Sequence, residues 1–164
     1  MSQNLDLYGG NYTTTKANFA AGTTTTTTTT TGAATKISYA IGGKAYAYTP
    51  AANAATPTTD AVTGAAFTGV AANKGSVFVF GFDAAGAIKV AQGEIKSLDA
   101  AGAFVDSPQF PTLPDTVAAY AYLVIKAGST ASTWTMGSSN MASATGITYT
   151  FVDVLTLPAR PQIS

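Results

Sequence analysis

Side chains able to make or break bonds are scarce in this chain. Eight acidic and eight basic groups, no histidine and no cysteine stand among 164 residues. Nucleophilic catalysis needs a base beside the nucleophile, and the commonest base is missing. A serine–lysine arrangement is formally open, but no spacing in the chain suggests one. Glycoside hydrolysis needs two facing carboxylates. Glu94 is the one glutamate, and Asp83, Asp99, Asp106, Asp115 and Asp153 read more simply as turn or surface residues. Transition metals lack their nitrogen and sulfur donors. Calcium needs several oxygens at alternating positions, and Asp83-Ala-Ala-Gly86 and Asp99-Ala-Ala-Gly102 offer one each. Gly42-Gly43-Lys44 lacks the rest of a phosphate loop and reads as a hairpin tip. The expectation is a protein that is not an enzyme and takes no cofactor and no metal.

Other residues allow binding readings. Tyr39, Tyr46, Tyr48, Tyr120, Tyr122, Trp134, Tyr149 and Phe151 could line a carbohydrate groove, although aromatics alternating on strands more often pack across a sheet. Ranks of threonine can bind ice, but that needs stacked repeats, and here there is a single run. Asn11-Tyr-Thr13 matches a glycosylation sequon.

The elements that would position these residues are strands. Ile37, Tyr39 and Ile41 alternate with smaller residues, Gly42-Gly43 turns the chain, and Tyr46 and Tyr48 continue the alternation. Residues 50–64 are a polar connection, and 65–70 suit a short strand. Residues 76–82 run into Asp83-Ala-Ala-Gly86 and return through 87–92; the pentapeptide Asp-Ala-Ala-Gly-Ala recurs at 99–103 and predicts a second, identical closure. Three prolines between Pro108 and Pro114 exclude a central strand. Residues 119–126 read as the clearest buried strand, 132–136 around Trp134 as its return, and 146–154 as the strand closing the sheet. The fold class predicted is all-β, a β-sandwich or jelly roll with an extended N-terminal arm.

That arm is residues 1–35, and the sandwich is 36–164. The arm holds nine consecutive threonines, Thr23 to Thr31, with few apolar anchors. Threonine is β-branched and favours extended backbone. A uniform run cannot specify its own register, because a slip changes nothing. Leu5, Leu7, Tyr8 and Phe19, with Thr23, Thr27 and Thr31 along the run, are the candidate contacts to a neighbouring protein or subunit, made by adding a strand to an exposed edge. Removing residues 1–34 is expected to leave a folded domain.

Composition narrows the partners. At 46% hydrophobic and 10% charged residues, the chain is far from the signature of disorder. Its net charge of zero, with basic residues dispersed singly, argues against nucleic acid. No apolar run approaches the ~18 residues of a membrane span. The first residues lack a basic and then apolar leader, which predicts use without export. So lightly charged a surface suggests life inside an assembly.

The blocks Ala55-Thr-Pro-Thr-Thr-Asp-Ala-Val-Thr-Gly64, Gly75 to Gly81, Val90-Ala-Gln-Gly93, Pro108-Gln-Phe-Pro-Thr-Leu-Pro-Asp115, Tyr122-Leu-Val-Ile-Lys-Ala-Gly128 and Phe151-Val-Asp-Val-Leu-Thr-Leu-Pro158 resemble a group of tailed-bacteriophage virion proteins. In that group a compact β domain is added to the outside of the head as a decoration, or cement, protein. The likeness spans about residues 36–161. It implies a jelly-roll-like domain, homotrimeric, bound to the major capsid protein on the capsid exterior after synthesis in the host cytoplasm, without nucleic acid or membrane as partner. The arm has no counterpart in the resemblance. A phage fibre or tail accessory module that binds host-surface glycans through the aromatics, or through loops 50–64 and 107–116, is the alternative, because fold does not fix function.

Overall fold

Val77 and Val79 alternate with Phe78, Phe80 and Phe82, so one strand presents β-branched side chains to one side and aromatic rings to the other. Both sets are wholly buried. A strand of this kind must lie in a sheet covered on two faces, and the rest of the chain supplies the covers. The structure, a computed structural model, describes residues 10–30 and 36–163. Among these the chain is all-β, with eleven strands in three antiparallel sheets arranged as a β-sandwich. The strands are β1 (Tyr12–Thr13), β2 (Phe19–Ala21), β3 (Thr27–Thr30), β4 (Ile37–Ile41), β5 (Lys44–Tyr48), β6 (Ala54–Ala55), β7 (Lys74–Phe82), β8 (Ile88–Gln92), β9 (Lys96–Ser97), β10 (Ala118–Ala127) and β11 (Ile147–Asp153).

The large sheet runs β11-β10-β7-β8, with β9 following β8 along the same edge of β7. Strands β7 and β10 pair over nearly their whole length, from Phe82 opposite Ala118 to Lys74 opposite Ala127. The ladder slips between Ala119 and Ala121. A bulge of this kind places one extra residue in a strand and re-phases its pleat. Tyr120 and Ala121 therefore both join the aromatic side with Leu123 and Ile125, while Tyr122 and Val124 fall on the valine side. Unbroken strand alternation would put Tyr120 and Tyr122 on one face; the bulge separates them.

Two small sheets lie on the aromatic side. In one, β4 is flanked by β1 and β5; in the other, β3 is flanked by β2 and β6. Tyr39 and Tyr48 from the first meet Phe82 with ring centroids 5.2 and 4.3 Å away, and Phe19 from the second sits 4.6 Å from Phe80. The valine side is covered by irregular chain. Phe104 comes from the second Asp-Ala-Ala-Gly closure, Phe110 and Leu113 from the proline-rich connection, and Val154 and Leu157 from the C-terminal segment. Proline stops that connection from adding a strand, so it covers the sheet with side chains alone.

Local turn chemistry matches the sequence closely. Gly42-Gly43 closes the β4–β5 hairpin with Ile41 opposite Lys44. In the two Asp-Ala-Ala-Gly closures, Asp83 Oδ1 accepts from the amides of Ala85 and Ala87, and Asp99 Oδ1 accepts from those of Ala101 and Ala103, all at 2.9 Å. Gly86 and Gly102 share a φ of 78°, a left-handed conformation that suits glycine. Non-local pairing departs from expectation. Residues 132–136 do not return along β10, since β7 and β11 already occupy both of its edges; Trp134 makes a single bridge to Val70 and donates its indole N–H to Asn140 O at 2.7 Å. Residues 65–70 likewise form isolated bridges instead of a strand.

The N-terminal segment departs most. Ala17 and Phe19 share one core cluster with Ile37 and Tyr39. β1 pairs with β4, Thr13 Oγ1 donates to Ala119 O at 2.8 Å, and Phe19 is 6% exposed among Phe80, Tyr120 and Phe151. Removing residues 1–34 would take the Phe19 ring away from Phe80, Tyr120 and Phe151. Phe19→Ala should cost about 3–5 kcal/mol of stability. Chemical denaturation measures this, and an unchanged midpoint would contradict the packing described.

Candidate functional site

Of the candidate contact residues, Leu5, Leu7, Tyr8 and Thr31 lie outside the described residues. The other three are placed by the chain itself. The Phe19 ring fills the core, and its amide donates to Asp153 Oδ1 at 2.9 Å. Thr23 and Thr27 flank the turn between β2 and β3, where Asn53 Oδ1 accepts from the Thr23 amide at 2.7 Å, from Thr23 Oγ1 at 2.9 Å and from Thr27 Oγ1 at 3.2 Å. Met141 N donates to Thr25 O at 2.8 Å, and both the amide and the hydroxyl of Thr56 donate to Thr26 O. These outside partners fix a register that a uniform threonine run cannot fix alone. Asn53, Thr56 and Met141 carried no signal for this role, since their effect depends on tertiary proximity.

The aromatic set does not come together as a groove. Tyr39, Tyr120, Tyr122 and Trp134 are buried, and Tyr46, Tyr48, Tyr149 and Phe151 are half-buried. Tyr120 stacks on Phe82 at 4.2 Å, Tyr39 on Tyr46 at 5.6 Å, and Tyr149 on Phe151 at 6.4 Å. Burial raises the Tyr39 hydroxyl above its ordinary pKa, helped by Asp83 and Tyr46, and pushes Tyr120 well above it. Tyr149 is raised by burial too, and its hydroxyl donates to Asn140 O at 2.8 Å. The raised phenols of Tyr39, Tyr120 and Tyr149 stay neutral packing groups at physiological pH.

The two loops that the sequence singled out do meet. Residues 60–63 and 109–112 line a surface depression of about 410 Å³ beside the end of β8. Gly93 makes the approach possible: a Cβ there would lie 3.0 Å from Gln109 O and 3.1 Å from Val77 O. Val62 stands on the rim, 51% exposed. An adjoining cleft of about 310 Å³ runs along Gln109 to Asp115 and reaches Asn11 and Leu157.

Two buried polar side chains hold this end together. Asp60, 7% exposed, accepts from the Val62 and Thr63 amides through Oδ1 at 2.7 and 2.9 Å and from the Gln92 amide through Oδ2 at 2.7 Å. It thus caps its own turn and ties that turn to β8. The sequence showed only its turn-forming character. Asn11 donates to Asp115 O and Val117 O, and its Oδ1 accepts from the Gly42 amide at 2.8 Å. The amide of the sequon is thus buried and committed to structure.

The polar side chains at this end are engaged within the chain. The Asp60 carboxylate is taken up by amides, and the Gln92 side chain exchanges two hydrogen bonds with the Thr68 backbone. Glu94 bonds Lys96, which lowers the pKa of the carboxyl and raises that of the amine. Among the described residues no group of three or more His, Cys, Asp or Glu could hold a metal ion, and no helix is long and apolar enough to cross a membrane. No family model, curated protein or solved structure matches the chain. Asp60→Ala should strand the Val62, Thr63 and Gln92 amides and cost on the order of 2–3 kcal/mol. Thermal unfolding reads this loss, and wild-type stability in the variant would show that the loop does not depend on the carboxylate.

Proposed function

We propose that this protein is a structural virion component, a decoration or cement protein that binds the outer surface of a tailed-phage head and stabilises it. The observation that carries the reading is where the resembling blocks fall. Residues 75–81 and 122–128 are paired central strands, and 151–158 follow on as β11 and the segment after it. The other three blocks, 55–64, 90–93 and 108–115, meet at the loop end that Asp60 and Gly93 hold together. Pieces scattered along the sequence thus form one continuous unit, as a shared module requires. The loop end is then the gripping surface, presenting Val62, Phe110 and backbone groups to the major capsid protein.

A lightly charged module suits this work. Desolvating it costs little, so apolar and backbone contacts can be buried against a shell beneath. Association as a homotrimer would multiply the contacts of each copy, and linked weak contacts give firm attachment. Ala17 and Phe19 of the N-terminal segment belong to the module's own core, while Thr23 to Thr25 stand exposed and are open to contact with a neighbour. Binding of purified protein to emptied heads tests the reading directly. Saturable binding that weakens when Val62 is replaced by Asp is expected; binding to host glycans with none to heads would favour the fibre or tail module instead.

A further inference from the structure

We propose that β11 is a seam through which two copies of this chain pair, strand against strand, in antiparallel register about Thr150. The inference goes beyond capsid attachment and does not depend on it.

The large sheet has two edges, and the chain treats them differently. Along β8 the outward groups are satisfied within the chain: Ala61 N donates to Val90 O at 2.8 Å, and Asp60 Oδ2 accepts from Gln92 N. Lys89 adds a charge there. Edges left bare invite a further strand, and natural sheets guard them with lysine, proline, bulges or a covering loop. β11 runs seven residues, Ile-Thr-Tyr-Thr-Phe-Val-Asp, with no lysine, no proline and no break in its register with β10. The outer strand of the β4–β5 hairpin, by contrast, is five residues long and lies between Lys44 and Pro50.

The direction of the free groups follows from one bond. Val154 N donates to Tyr120 O at 3.0 Å, just beyond the register pair Asp153–Ala121. That pair is therefore not hydrogen-bonded across the ladder, and alternation sends the backbone of Thr148, Thr150 and Val152 toward β10. The N–H and C=O groups of Tyr149 and Phe151 point outward, and among the described residues neither meets a partner. Four strong backbone groups thus stand in a row along the edge, a template for pairing with another strand.

A second copy of the same strand fits this edge. With Thr150 opposite Thr150 of the partner, each Tyr149 faces a Phe151 across a hydrogen-bonded pair, and the four free groups satisfy one another. Threonine opposite threonine and aromatic opposite aromatic are favourable cross-strand pairs. The one charge in the strand, Asp153, faces Ile147, so no like charges meet. The contact is isologous, as a twofold pair requires.

Light scattering over a concentration series tests the proposal on the full chain, with Thr150→Lys and Thr150→Glu beside the wild type and a thermal melt to confirm folding. Each variant places like charges across the axis and should halve the particle mass, with re-association only at concentrations about tenfold higher or more. Mixing the two variants should restore the wild-type mass. A wild-type mass that both variants leave unchanged, or a wild type that stays a single copy, would overturn the seam. Should a variant fail to fold, amide exchange on the wild type decides. Tyr149 and Phe151 amides gain protection on concentration if the seam exists, and equal exchange in dilute and concentrated samples would refute it.

Discussion

A central sheet with two apolar faces has to be covered twice, and every other segment of this protein is arranged by that demand. Phe80, Phe82 and Tyr120 are covered by Phe19, Tyr39 and Tyr48, and Phe78 by Phe67 and Trp134. Burial of aromatic rings is the largest single source of stabilisation such a domain has. The opposite face has no second sheet to cover it. There the proline-rich connection and the C-terminal segment serve, held by Lys126 Nζ donating to Ile163 O at 2.6 Å and by the Gln162 amide donating to the Tyr122 hydroxyl at 2.8 Å. Irregular chain becomes structural because it covers a face, and the same chain then builds the loop end.

How much of this could be read beforehand depended on range. The β4–β5 hairpin and both Asp-Ala-Ala-Gly closures were legible, since each is decided within a few residues by a turn with a local cause. The long strands were legible from their apolar alternation. What escaped was set at a distance. Phe19 stands in a stretch rich in glycine and threonine, and only the tertiary fold shows that its ring closes the core. The bulge at Tyr120 arises from the fit of β10 to β7 and separates two tyrosines whose spacing implied a common face. Trp134 was assigned as a returning strand because its neighbours favour one, but β10 had no free edge to offer it. In the candidate site, the convergence of loops 60–63 and 109–112 was invisible, although each loop was singled out separately.

The polar side chains tell the same story about function. Asn11, Asn53, Asp60, Asp83, Asp99 and Gln92 are each occupied with backbone amides or carbonyls, and so act as staples for turns and edges. Polar groups spent in this way leave shape, apolar rims and backbone as the features open at the surface. The proposed attachment to a capsid surface and the proposed pairing along β11 would both draw on those features, from different parts of the molecule.

That the protein works by gripping adjoining subunits is tested most directly by electron microscopy of purified phage particles. The fold should appear on the head exterior in groups of three at local threefold positions, with the loop end carrying Val62 and Phe110 against the shell. Density for the fold on a tail fibre with bare capsid threefolds would contradict that claim.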